Sequence, residues 1–145
     1  MDFSTGMRIS ASGLSAQRQR MNTVSSNIAN INTTRTPEGG PYRRKDVVFE
    51  AMPDAKDFGE ILTSQPDSAA QRVQVTDVTV DRKAPLMKYE PDNPDANPDG
   101  YVAYPNINLM EEMANMIQAS RSYEANVSAM QATKDMAMSA LEIGR

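Results

Sequence analysis

The 145-residue chain contains no cysteine, no histidine and no tryptophan, and only three phenylalanines. Without cysteine there is no thiol nucleophile and no disulfide. Without histidine there is no imidazole base, and the commonest ligand for transition metals is missing. Carboxylates, lysines, tyrosines and serines remain, so other chemistry is not excluded. It would need two carboxyl groups in contrasting environments. Pairs such as Glu111/Glu112 and Asp77/Asp81 occur, but nothing in the sequence places either in an apolar pocket. The expectation is a protein that is no enzyme, with no cofactor and no small-molecule substrate. Long apolar runs are absent as well: nothing approaches the roughly 20 residues of a membrane span. The opening "MDFSTGMRISASG" lacks the basic cap and leucine-rich run of a cleavable signal peptide.

Methionine, in contrast, is abundant at 11 residues, within a hydrophobic content of 39%. That is enough for one modest core, or one small domain with extensions, packed by Met, Ala, Leu, Ile and Val. The charge is polarised. Residues 1–45 hold seven basic and two acidic side chains, 46–105 hold five and twelve, and 106–145 hold three and five. Such polarity suits head-to-tail association of like chains. A nucleic-acid partner is not expected, because Arg8, Arg18, Arg20, Arg35, Arg43, Arg44 and Lys45 form no dense tract.

Helical periodicity marks both ends. Met7, Leu14, Met21 and Ile28 recur every seven residues, with a second line through Ala11, Val24 and Ile31 that Gln17 interrupts. These spacings predict a helix of about 25 residues, capped by Ser4 or Thr5 and weakened locally by Ser10, Ser12 and Gly13. Near the other end Met113, Met116, Ser120, Tyr123, Val127, Met130, Lys134, Ala137 and Leu141 step by threes and fours; Leu109 leads in, and Met110, Ile117 and Met138 widen the face. Asn108 as cap, an acidic first turn and Gly144 as terminator predict one long helix over 109–142. An isolated amphipathic helix is only marginally stable, so the two are expected to pair as an antiparallel coiled coil. A surplus apolar stripe remains for another copy of the chain, or for a third element of a small monomeric bundle.

The middle changes period. "YRRKDVVFEAM" predicts a strand over Lys45–Ala51, with Val47, Phe49 and Ala51 on one face. In "QRVQVTDVTVD", Val73 and Val75 share a face, and Val78 and Val80 resume after a bulge. "APLMKYE" predicts a third short strand, and residues 52–72 a mobile loop. The fold class is therefore α+β: a discontinuous helical domain from 1–33 and 106–145, and a small antiparallel β-containing segment from 34–105. "PEGGPYRRK" lacks phosphate-loop spacing; Gly39-Gly40-Pro41 turns the chain, and Arg43–Lys45 either contact an acidic neighbour or form a solvated face. In "DNPDANPDG", Pro94, Asp95, Asn97, Asp99 and Gly100 mimic part of a calcium loop, but Asn106 stands where the bidentate Glu belongs, so a tight turn without metal is expected. At the end of the first helix, Asn27, Asn30 and Asn32 flank Ile28 and Ile31. Capping accounts for Asn30 or Asn32. Asn27 sits inside the helix, where a buried amide penalises wrong alignments.

The segment "ISASGLSAQRQRMNTVSSNIANINTTRTPEGGPYRRKDVVF" resembles the start of the axial proteins of the bacterial flagellum, the rod and hook proteins, with their Ser-Gly-Leu opening and "NIANINT" ending of the first helix. "GYVAYPNINLMEEM" and "ASRSYEANV" resemble the C-terminal part of the family's proximal rod members, with Asn93 standing where these often carry His. The resemblance implies an inner coiled-coil domain and a small outer β part. It further implies export without a cleaved signal peptide through the flagellar type III apparatus, and helical assembly into the rod that crosses the periplasm and transmits motor torque. The implied partners are further copies, other proximal rod proteins, the rod's basal adaptor and the inner-membrane ring. The implied interface residues are Met7, Ala11, Leu14, Met21, Val24, Asn27, Ile28, Asn30, Ile31 and Asn32 in the first helix, and Leu109, Met113, Met116, Ile117, Ser120, Tyr123, Val127, Met130, Ala137 and Leu141 in the last. The competing reading is a soluble coiled-coil binding or regulatory module.

Overall fold

A computed structural model describes residues 3–53 and 71–143. Its elements are α1 (Phe3–Ala29), β1 (Lys45–Pro53), β2 (Gln71–Val80), β3 (Leu86–Tyr89), β4 (Tyr101–Tyr104) and α2 (Leu109–Ile143). The fold is α+β. Ser4 and Thr5 lie inside α1 rather than capping it, and Asn30, Ile31 and Asn32 lie beyond its end, in turns closed by Ile31 N–H on the Ile28 carbonyl and Thr33 N–H on that of Asn30. Asparagine bonded to nearby backbone competes with the helix, so α1 stops two residues short of Ile31, the last residue of the periodic pattern. Asn108 caps α2 as expected: its side-chain oxygen accepts the Met110 N–H at 3.1 Å and its carbonyl the Glu112 N–H. Gly144 lies outside the described residues.

The two helices run antiparallel, and the contacts between them recur with a seven-residue step on both sides. Gly6 faces Thr133, Gly13 faces Asn126, and Asn27 bonds Glu112. Between them Arg20 donates to Asn115 at 3.3 Å. A Cβ built on Gly13 would stand 3.1 Å from the Asn126 amide, so the residue that weakens the isolated helix is also the one that lets the helices approach. Ala119 is the buried apolar residue of this line on the second helix, and Ala16 and Val24 are buried on α1 beside it. Small residues at the contact let α1 and α2 lie close without large side chains.

β1 and β2 form an antiparallel hairpin whose register shifts between Val48 and Phe49: Val48 pairs with Asp77, but Phe49 pairs with Val75. The extra residue, Thr76, is the predicted bulge. It brings Val75 and Val78, three apart and so on opposite faces of a regular strand, into line opposite Phe49 and Val47. All four are half-buried, while Ala51 is exposed. The hairpin packs on α1, where the Ser12 hydroxyl accepts the Val73 N–H at 3.2 Å. The expected loop over 52–72 is cut down at both ends, because β1 runs through Pro53 and β2 starts at Gln71; its remainder lies outside the described residues.

A fourth strand, absent from the periodicity reading, pairs with the third. Leu86 lies opposite Tyr104 and Tyr89 opposite Tyr101 in a separate two-stranded ladder. β4 was hidden by its length of four residues and by the turn beside it. That turn closes through the Gly100 N–H on the Asn97 carbonyl, and Asn97 Oδ1 accepts the N–H groups of Asp99 and Tyr101. Gly100 has φ of 79°, and a Cβ there would meet the Tyr89 ring at 2.8 Å, so glycine is required on both counts. Val102 of β4 is fully buried and leads through buried Pro105 and Ile107 into α2.

Candidate assembly interface

Where α1 ends, a polar knot joins three parts of the chain. Asn27, wholly buried, donates from Nδ2 to the Lys45 carbonyl at 2.8 Å and to Glu112 Oε2 at 2.9 Å. Its Oδ1 accepts the Lys45 N–H at 2.9 Å and the Tyr42 hydroxyl at 3.1 Å. All four bonding positions of the amide are thus filled, the condition for a buried polar group to be tolerated. Glu112, 1% exposed, receives the Arg44 Nε on its other oxygen at 2.7 Å, and Arg44 reaches Asp46 at 3.2 Å. Burial works against the Arg44 charge, but hydrogen bonding and attraction from Glu112, then Asp46, outweigh it and hold its pKa above the ordinary value.

Asn27 therefore does more than fit beside an apolar line. It pins the first residue of β1 to α1 and, through Glu112, pins α1 to the first turn of α2. Any slip of the helices by one heptad would leave a carboxylate and an amide buried without partners. Arg44 belongs to this knot, not to the solvated or neighbour-facing trio expected for Arg43–Lys45. Asn30 behaves as a local cap, donating to the Ser26 carbonyl at 2.8 Å and accepting from Thr33. Asn32 is exposed.

The other residues named from the sequence fall into three groups. Val24 is buried; Met7, Leu14, Met21, Ile28, Ile31, Met116, Ser120, Tyr123, Met130 and Ala137 are half-buried; Ala11, Leu109, Met113, Ile117, Val127 and Leu141 are exposed. The line of α2 that meets α1 runs through Glu112, Ala119, Asn126 and Thr133, flanked by Met116, Tyr123 and Met130. It is a polar and small-residue heptad line, which a search for apolar repeats passes over. Glu112 and Ala119 were missed for that reason, and only the identical seven-residue step at 112, 119, 126 and 133 signals them in the sequence; nothing periodic signals Arg44, which lies before β1. What remains outside is an apolar stripe: Met110 is 73% exposed, Ile117 54%, Met138 53% and Leu141 70%. That many large side chains along one helix form an apolar surface that the described residues leave uncovered.

The Asp-rich turn is occupied by its own bonds. Pro94, Asp95 and Asp99 are exposed and Gly100 is half-buried. Asp95 accepts the Thr34 hydroxyl at 2.7 Å and lies 4.0 Å from Arg35, tying the turn to the segment that leaves α1. Asn93 donates to Glu90 and accepts the Asp95 N–H. Among the described residues no group of three or more His, Cys, Asp or Glu side chains is placed to hold a metal ion. None of the described helices is long and apolar enough to cross a membrane.

Glu90 anchors the β3–β4 hairpin. Hydrogen bonds from Lys88 first, at 2.6 Å, then from Asn93 and Tyr104, hold its carboxyl well below the usual range, at about 2. A carboxyl depressed in the folded state stabilises above its unfolded pKa of 4.5, and that stabilisation is lost as pH falls toward 2. The hairpin is therefore expected to loosen across this acid window, read as a change in the Tyr104 ring resonances. Glu90→Gln is expected to flatten the profile there, and an unchanged profile would remove the carboxylate from the hairpin's support.

The architecture is a pair of packed terminal helices with two short β hairpins beside it. Residues 7–35 match the family model described as "Flagella basal body rod protein", and residues 99–143 match "Flagellar basal body rod FlgEFG protein C-terminal". At full length, the chain is 46% identical to the flagellar basal-body rod protein FlgC of Bacillus subtilis, covering 96% of each chain. It is 40% identical to FlgC of Borreliella burgdorferi over 99% of this chain and 98% of the other, and 42% identical to that of Aquifex aeolicus over 94% and 92%. The chain belongs to the FlgC family of flagellar basal-body rod proteins.

Proposed function

We propose that the chain is a structural subunit of the proximal rod of the flagellar basal body, assembling helically with further copies and with other axial proteins. It carries no catalytic role. Its helices pair as a coiled coil in the inner layer of the rod, and the β hairpins face outward. It leaves the cytoplasm through the flagellar type III apparatus and transmits motor torque across the periplasm. Neighbours at its ends include other proximal rod proteins, the basal adaptor and the inner-membrane ring.

The observation that carries this reading is the exposed apolar stripe on α2 beside a helix pair already locked in register by Asn27 and Glu112. A monomer that functions alone has no use for it. Torque must pass through many such seams in parallel, since one helix contact buries too little area to be stiff. The test is complementation: in cells lacking their own family member, this chain is expected to restore motility and to co-purify with isolated basal bodies. A chain found only as soluble monomer in motile cells would sink the reading and favour a soluble binding module.

A further inference from the structure

Both β ladders have two strands, so each ends in edges that no further strand covers among the described residues. On β4 that edge is closed. Tyr101 donates its N–H to Asn97 Oδ1 at 2.8 Å, and its carbonyl accepts the Asn97 N–H at 2.9 Å. Its partner Tyr89 therefore belongs to an unbonded pair, whereas the Glu90 N–H reaches the Gly100 carbonyl at 2.9 Å in a bonded one. Bonded and unbonded pairs alternate along an antiparallel ladder, so Met87 and Tyr89 point N–H and carbonyl away from β4. Among the described residues β3 packs on no other element, and Pro85 and Pro91 bound its open edge.

β1 has a matching edge. The Asp81 N–H donates to the Arg44 carbonyl at 2.8 Å, and the Val73 N–H turns away from Ala51 to Ser12. The even-numbered residues of β1 thus bond β2, and Val47, Phe49 and Ala51 point outward. Asp46 Oδ1 accepts the Val47 N–H at 2.9 Å, which leaves Phe49 and Ala51. Each open edge offers two residues, two apart, on either side of one exposed charge: Lys88 on β3 and Glu50 on β1. Lys88 pairs with Glu90 along its own strand and is still 67% exposed.

Resting on the assembly reading above, we propose that β3 of one copy adds antiparallel to β1 of the next, joining their ladders into one sheet across the subunit boundary. Met87 bonds Ala51 and Tyr89 bonds Phe49, which fixes the register. Lys88 then lies opposite Glu50, and Leu86 opposite Met52. An opposite-charge pair and an aromatic pair directly across a ladder both favour this arrangement. Pairing like edges through the same open groups sets Lys88 on Lys88, or Glu50 on Glu50, and like charges placed so repel. Unlike edges also leave a free β1 on one copy and a free β3 on the other, so the contact propagates without closing.

The absence of cysteine makes the register directly testable. Lys88→Cys and Glu50→Cys are made together in the same cells, and isolated basal bodies are oxidised with copper–phenanthroline. Facing residues of an unbonded pair stand about 4.5 Å apart at Cα, within disulfide reach. A disulfide dimer is expected when both variants are present, and none when either is present alone. Leu86→Cys with Met52→Cys is expected to behave in the same way while leaving Lys88 and Glu50 in place. Met87→Cys with Glu50→Cys, on opposite faces of the joined sheet, is expected to give no dimer. Dimers from one variant alone would show like edges pairing, and equal dimers from the opposite-face pair would show no fixed register; either overturns the inference. Basal bodies that incorporate both facing pairs but yield only monomer would show that something else covers these edges, and would overturn it too. Failure of the unsubstituted chain to enter basal bodies at all would instead overturn the assembly reading.

Discussion

Replacing Glu112 with Ala is expected to destabilise the chain by about 3 kcal/mol, because it leaves the half-buried Arg44 guanidinium with only the exposed Asp46 and an Asn27 amide proton with no acceptor. The carboxylate is 1% exposed and takes Arg44 on one oxygen and Asn27 on the other. The loss is large beside the roughly 5–15 kcal/mol that holds an ordinary domain together. It should appear as a fall in the urea midpoint of the helical circular-dichroism signal. Glu112→Gln keeps the volume and one acceptor oxygen but sets its NH2 against the second donor, so it should recover only part of the loss. Adding Arg44→Met to Glu112→Ala removes the stranded cation, so the pair is expected to recover part of what the single change loses. A single variant with an unchanged midpoint would mean that the knot contributes nothing to the fold.

The second large effect falls on assembly and leaves the monomer nearly untouched. Ile117 and Val127 are 54% and 39% exposed, so changing both to Asp costs folding little, about 1 kcal/mol or less per site from helix propensity and lost apolar contact. In the assembled state the same change buries two carboxylates in an apolar seam, which costs several kcal/mol per subunit contact. The double variant is expected to fold with near-normal helical content, to be made in normal amounts and to fail to enter basal bodies, leaving cells non-motile. Normal incorporation would remove the stripe from the interface.

Both predictions turn on the same division of α2, and the sequence conveyed only part of it. The long helix, its Asn108 cap and its start at Leu109 were legible because capping and helical periodicity are local, written within a few residues of where they act. The bulge in β2 was legible for the same reason: valines at 73, 75, 78 and 80 cannot share one face of a regular strand. β4 was not, since four residues beside a Pro/Asp/Gly turn carry too little pattern to separate a strand from a linker. Which line of α2 meets α1 was also hidden. An apolar repeat suggests a buried seam, yet here the apolar residues Met113, Ile117, Val127 and Leu141 stay outside, and glycine, alanine, asparagine and glutamate form the contact.

Local chemistry in the sequence alone determined that this chain has two long terminal helices, a hairpin with a bulge, and no thiol or imidazole chemistry. It also located Asn27 as a polar residue out of place. Only the tertiary structure decided what satisfies that amide. Its partners come from Tyr42, Lys45 and Glu112, up to 85 residues away, and a hydrogen bond across that separation leaves no periodic trace along the chain. Buried polar groups are chosen for their partners in space, and so the sequence shows where such a group stands without showing what it holds.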